Sequence, residues 1–443
     1  MAIHSALEKA FSDRRFKLLF SFVIAFVLAA AVTIDQQSKN FIKLLAVAGL
    51  LVTLLNWREI KRHAGEFHLG SVVALLLYFF AILLAITANP INQDTFHDLR
   101  IMSIGFTSIF IWGLLISIRF RADFFWWGIL LCAISSGGYA LVEVYHYGID
   151  HRAVGSSNKW VMFGDIALIS GLLSMAAINH FKHKSTLWKW LPYFAAGMGL
   201  IASFLSGTRG GWIYLPLAGI IFLIHHSRQR QLRSLFNLKH LTLLVLILGV
   251  VGIAVFSYTK VPERISIAYQ EIHGYMTDRS ASTGRTSIGQ RFEMWRAVFI
   301  VAQEKPLFGL GPGGFKQHLQ ALADADVVNQ IIANAIPGGQ GHTPHSHAHN
   351  EYFNTLATRG LVGLITLMGV FLLPLLHFFA VAKSPDPLQS DIGLAGIILV
   401  TGYMVFALSE SVLYHQITGN FYFLALVSLL FLANRQAGDA APG

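Results

Sequence analysis

Charge is scarce in this sequence. Only 13% of its 443 residues are Asp, Glu, Lys or Arg, whereas 54% are hydrophobic. A soluble domain carries about 25% charged residues, so a water-soluble globular chain is excluded and a bilayer is the expected solvent. The mean hydropathy of +0.57 agrees. Cysteine is nearly absent: the single one, Cys132, lies in an apolar stretch, so no intrachain disulfide forms even where the chain faces an oxidising compartment. Acidic residues are also few, 23 against 33 Lys and Arg, for a net charge of +10. On a soluble protein that excess suggests nucleic acid. Here the basic residues fall between apolar runs, the pattern that orients a chain in a membrane, and no nucleic-acid partner is expected. Internal repeats are missing too, which leaves an inverted-repeat transporter without support.

What is present is a series of twelve apolar segments, near 16–34, 41–55, 69–88, 99–118, 124–145, 160–178, 190–206, 210–225, 240–258, 356–380, 391–409 and 417–433. Spanning a bilayer takes ~17–25 such residues. The expected fold is therefore an all-α polytopic membrane protein of about twelve transmembrane helices. The first segment resembles a signal peptide, but its apolar run is long for one and is read as a retained span. Arg14, Arg15, Arg58, Lys61, Arg119, Arg121, Lys182, Lys184, Arg228, Lys383 and Arg435 fall in loops of one parity, which the positive-inside rule makes cytoplasmic, with both termini inside. The chain then divides into spans one to nine (1–258), a large periplasmic catalytic loop (259–355), and spans ten to twelve with a cytoplasmic tail (356–443). That loop is far longer than a connection between packed helices requires. Within it the spacing predicts helices over 262–276, 290–302 and 315–332, with a sharp Gly/Pro reversal at 305–314.

Three clusters on the non-cytoplasmic parity carry candidate chemistry. Thr208-Arg209-Gly210-Gly211 is a tight turn between two spans. Arg209 reads either as a snorkelling charge or helix cap, or as an anion clamp in which glycines admit a ligand and the guanidinium grips phosphate. Arg285 and Arg291 flank a second cluster that ends in Trp295, and loop arginines more often face solvent than ligand. Their side of the membrane, shared with Arg209, raises the functional reading. The third cluster runs from His342 to Tyr352. In an extended strand His345, His347 and His349 project the same way, a pattern open to zinc or to a solvated linker. No cysteine and few acidic residues complete a familiar ligand set, so no metal is expected. His349 begins a segment in which a helix would put His349 and Gly360 on one face, three turns apart, with glycines allowing close packing. An imidazole is suited to take a proton from a sugar hydroxyl.

These motifs resemble those of the O-antigen ligase and polymerase superfamily, the ligases most closely. The resemblance rests on Thr208-Arg209-Gly210-Gly211, on Arg291-Phe292-Glu293-Met294-Trp295 followed by Pro306-Leu307-Phe308-Gly309-Leu310-Gly311, and on His349-Asn350 with nine residues before Gly360 and Gly363. It implies a fold similar to lipid-dependent glycosyltransferases of the GT-C type, in the bacterial inner membrane with the active site facing the periplasm. It implies transfer of O-antigen from undecaprenyl diphosphate to a sugar hydroxyl of lipid A-core oligosaccharide, metal-independent, inverting and without a cofactor. His349 would be the general base, and Arg209 and Arg291 would hold the diphosphate with Arg285 in support. Asn350, His347, His345 and Trp295 would bind substrate. An O-antigen polymerase or protein O-oligosaccharyltransferase shares the donor class. A flippase would need ionisable residues near span midpoints, and the spans read as nearly clean apart from Glu143 and Asp165 near helix ends.

Overall fold

A computed structural model describes residues 13–63, 65, 68–91, 95–96, 99, 104–182, 184–228, 261–277, 286–332 and 347–434. Its longer helices are α1 (Arg14–Ala29), α2 (Asp35–Leu55), α3 (Leu69–Thr87), α4 (Ile104–Ile118), α5 (Ala122–Tyr147), α6 (Trp160–Ala176), α7 (Thr186–Ser206), α8 (Tyr214–Arg228), α9 (Val261–Thr277), α10 (Ser287–Glu304), α11 (Gly314–Asp324), α12 (Glu351–Val381), α13 (Pro387–Phe406) and α14 (Gln416–Asn434). No strand occurs among the described residues. The expected all-α class is what the structure shows. Seven helical stretches are long and apolar enough to cross a membrane, and the shorter apolar stretches Gly105–Ile118 and Trp160–Ala176 accompany them. The expected ninth span at 240–258 lies outside the described residues, as do Arg285 and His345.

The bundle is built by α7 packing on α5 and α6, α1 on α5, α2 on α4, α3 on α12, and α12 on α13. Helix α14 lies deepest, with Phe421, Tyr422, Leu426 and Leu430 all buried. Outward faces remain apolar: Val47, Leu54, Phe80, Ile220 and Ile365 are exposed in the isolated chain. Faces of that kind require lipid around them.

Helix starts follow local chemistry. Asp386 caps α13 by accepting from the Leu388 amide at 3.1 Å, with Pro387 in the first turn where its missing N–H costs nothing. Thr286 caps α10 through its hydroxyl, which accepts from the Gly289 amide at 3.0 Å. Beyond α10 a second, smaller core forms, in which Met294, Val298, Phe315, Leu319, Val328 and Ile332 close over Ala348 and Ala357. Two expectations need correction here. Helix α11 stops at Asp324 and the chain re-enters helical geometry only as a single 3₁₀ turn at Gln330–Ile332, because Asp326 takes a positive φ of 52° that ends the α-helix.

The second correction concerns His349 and Gly360. His349 precedes the helix, at φ +48°, and α12 begins only at Glu351, capped by Asn350. Gly360 breaks that helix with φ 63° and ψ −159°, a conformation essentially confined to glycine. No continuous helical face joins the two residues. The break is filled by the 306–310 loop, which replaces the missing ladder: Leu361 N donates to Pro306 O (2.8 Å), Val362 N to Leu307 O (3.2 Å), and Leu310 N to Ala357 O (2.9 Å). A side chain on Gly360 would meet the Leu307 carbonyl at 2.3 Å, and one on Gly309 the Ala357 carbonyl at 2.5 Å. The Pro306–Gly311 motif is thus a splice that seats the loop in a broken membrane helix.

The spans are also less clean than the sequence suggests. Arg359 is buried in α12, bonded to Thr355 Oγ1 at 2.8 Å, 3.6 Å from Glu351, and stacked over Tyr78 at 4.6 Å. The Glu351 carboxylate in turn accepts from the amides of Leu413 (2.9 Å) and Tyr414 (3.2 Å), tying the start of α12 to the loop between α13 and α14.

Candidate functional site

Four loops meet at one end of the bundle. The turn before α8 arrives first: Thr208 donates its hydroxyl to Trp160 O at 2.9 Å, and a four-residue helix, Arg209–Trp212, follows. Gly210 in that turn lies against Ser409, since a Cβ there would stand 2.2 Å from the Ser409 hydroxyl. The loop between α5 and α6 joins them, with Arg152 stacked over Trp160 at 5.3 Å and near Gly207. Arg209 is exposed at this end, one residue from the contact with Ser409.

Next to Ser409 stands Glu410, and around it the site is organised. Its Oε1 lies 3.2 Å from His347 Nε2 and its Oε2 lies 3.1 Å from His349 Nδ1. His415 Nε2 stands 3.4 Å from Oε1 without completing a hydrogen bond to it. The Glu410 side chain is 5% exposed, that of His347 13% and that of His349 24%, so His349 is the member open to a ligand. Burial pushes the Glu410 carboxyl up, but the hydrogen bonds from His347 and His349, aided by nearby His415, outweigh it and hold the group well below the usual carboxylate range. Burial also lowers His347, to about 4, against the opposing pull of Glu410. His415 is lowered by burial in the same way.

An ionised carboxylate only accepts hydrogen bonds. His349 therefore donates from Nδ1, and its Nε2 keeps a lone pair. That tautomer is the one a proton acceptor needs. The backbone is held in register from several directions. Asn350 Oδ1 accepts from Phe353 N (3.0 Å) while its Nδ2 donates to Leu408 O (3.0 Å), and Glu351 N donates to Ala407 O (2.9 Å). Trp295 Nε1 donates to Ala348 O at 3.0 Å, and its ring packs on Phe353. Arg291 precedes Trp295 by four residues in α10, about one helical turn. Asn350 and Trp295, expected to touch substrate, spend their polar atoms on positioning His349.

With this geometry in view, residues 194–368 match the family model described as O-antigen ligase. That match supports membership of the O-antigen ligase/polymerase superfamily. An uncharacterized protein of Haemophilus influenzae is 26% identical over 366 residues, which cover 81% of this chain and 85% of that protein. For an O-antigen ligase/polymerase superfamily member the implied substrates are lipid-linked glycans in a membrane setting. The matched window includes Arg209, Arg291 and His349 but ends before Glu410 and His415. Those two residues, with Arg152, escaped the sequence reading. The available signal was a carboxylate and a histidine in a short loop of the same parity as His349.

Three of these groups also have the composition of a metal site. His347, His349 and Glu410 offer ligand atoms that all lie within 4.8 Å of one another.

Proposed function

We propose that this protein is an O-antigen ligase of the bacterial inner membrane, with its site facing the periplasm. It moves O-antigen polysaccharide from undecaprenyl diphosphate to a sugar hydroxyl of lipid A-core oligosaccharide. The observation that carries the reading is the Glu410–His349 pair, which puts the proton on His349 Nδ1 and the lone pair on Nε2 at the end of the bundle where Arg209 is exposed.

In this reading His349 Nε2 takes the proton of the acceptor hydroxyl as that oxygen bonds to the anomeric carbon of the donor. The bond from that carbon to the diphosphate breaks, and the electron pair leaves with the lipid diphosphate. Attack opposite the leaving group inverts the anomeric configuration. Arg209 and Arg291, with Arg285 in support, stabilise the charge that develops on the diphosphate, so that guanidinium contacts do the work of a divalent ion. Glu410 is a positioning residue: it fixes the tautomer of His349 and stabilises the imidazolium that forms. His347 helps to bind the acceptor.

The test is a purified-component assay with undecaprenyl-diphosphate-linked glycan and lipopolysaccharide acceptor, run with and without chelator. Transfer to lipopolysaccharide that persists in chelator supports the reading. Transfer only when a second lipid-linked glycan replaces lipopolysaccharide as acceptor would make the protein a polymerase instead.

A further inference from the structure

The Glu410 cluster has a second chemistry. We propose that His347, His349 and Glu410, with His415 as the fourth donor, form a zinc site whose occupancy switches the transferase off. The inhibitory half of this proposal rests on the reading of His349 as the base.

The geometry supports the ion directly. Zinc takes N and O ligands at about 2.0–2.2 Å in a tetrahedron, which sets its ligand atoms roughly 3.4 Å apart. The ligand atoms of His347, His349 and Glu410 lie within 4.8 Å of one another, so small side-chain shifts close them on an ion, and His415 Nε2 stands 3.4 Å from Glu410 Oε1 as the donor that would join them. His415 Nε2 is buried, has no hydrogen-bond partner, and lies beside the carboxylate. Two imidazoles come from one short stretch that Trp295 and Asn350 hold in place, and the other two donors from the loop that Glu351 pins. The ring of Tyr414 stacks on His347 at 5.2 Å and limits the movement of that ligand.

Occupancy and catalysis exclude each other at one atom. Without the ion, Nδ1 of His349 carries the proton that Glu410 accepts, and Nε2 holds the free pair. With zinc on Nδ1, the neutral ring must carry its proton on Nε2, so the base has no lone pair for the acceptor hydroxyl. Zinc also takes the Glu410 oxygen that would steady the imidazolium. Binding moves the single ring proton of the neutral imidazole from Nδ1 to Nε2, with no net proton release and no change of oxidation state.

The experiment uses the full-length purified protein in detergent or nanodiscs. Co²⁺ titration, followed by its visible absorption, and Zn²⁺ competition against a chromophoric chelator report binding without any need for activity. The expected result is one ion per chain, with affinity at least about tenfold weaker in H347A and in E410Q. Micromolar Zn²⁺ should inhibit transfer by the unmodified protein, and EDTA should restore it. Since H347A can itself lower the rate, zinc inhibition is scored against each variant's own uninhibited rate and should fade in that variant. Binding that is absent, or that persists unchanged in H347A, overturns the site. Stoichiometric binding combined with a rate that requires zinc would keep the site but overturn both its inhibitory role and the base reading of His349.

Discussion

The two ends of the bundle use the same side chains in opposite ways. They are separated by α5, whose 26 residues span about 39 Å. At its start Asp123 bonds Arg121 (2.8 Å) and His180 (3.0 Å), with Lys184 at 3.9 Å, and the Asp123 and Arg121 side chains are 34% and 63% exposed. Arg119 joins His63 nearby, at 3.0 Å. Beyond the other end a carboxylate, Glu410, is shut in among three histidines. Exposed pairs of the first kind contribute about 0–1 kcal/mol. Breaking a buried pair of the second kind costs about 3–5 kcal/mol. The basic end fits the orienting role expected of loop charges, in which their number matters more than their geometry. The Glu410 end keeps a costly buried arrangement of the kind that clusters at functional sites.

The comparison breaks most sharply at His349. His349→Ala is expected to cut transfer by at least about 100-fold, the lower range for a general base, while the protein still accumulates folded in membranes. Arg291→Ala should also abolish detectable transfer. Normal lipopolysaccharide ladders from cells carrying either variant would remove the assignment. Glu410→Gln keeps the shape of the side chain and loses its charge. A hydrogen bond to a charged group contributes about 1.5–3 kcal/mol, so kcat should fall about 10- to 100-fold with little change in donor KM. Equal loss in kcat and gain in KM would mean that Glu410 binds substrate and does not position the base.

These expectations were readable in the sequence to different depths. The all-helical membrane class followed from apolar runs alone. The shared side of Arg209 and His349 was expected from loop parity, and Gly210 packs against Ser409, the neighbour of Glu410. The reversal at 305–314 showed in its glycines, of which Gly309, Gly311 and Gly313 all take positive φ. What periodicity missed was tertiary. Treating the segment after His349 as one continuous helix ignored that Gly360 can leave helical space entirely, with a loop more than fifty residues upstream of Leu361 and Val362 supplying the lost hydrogen bonds. Glu410, likewise, has no motif around it, and only the packing of α12 against α13 brings it to His349. Arg359, which the reading of nearly clean spans passed over, is buried against Tyr78.

Gly360 gives a middle-sized test of that lesson. Gly360→Ala forces a Cβ into the Leu307 carbonyl and strains the backbone, and should cost about 1–3 kcal/mol of stability, read as a lower thermal midpoint in detergent. Transfer should fall as well, because the splice helps to hold the core that carries Trp295 and Ala348. Gly197→Ala in α7, where nothing lies within 4 Å of the added atom, is the matched control and should leave both measurements unchanged.

The smallest effect is expected at the opposite end. Arg121→Ala removes a partner of Asp123 while His180 and Lys184 remain in place. The loss should stay within about 1 kcal/mol and shrink further in high salt. Transfer by the purified, inserted protein should not change, because about 39 Å of α5 separates that charge from the loop beside His349. A rate that fell in step with Glu410→Gln would contradict the division of labour between the ends and require that the Asp123 cluster be coupled to the site through the bundle.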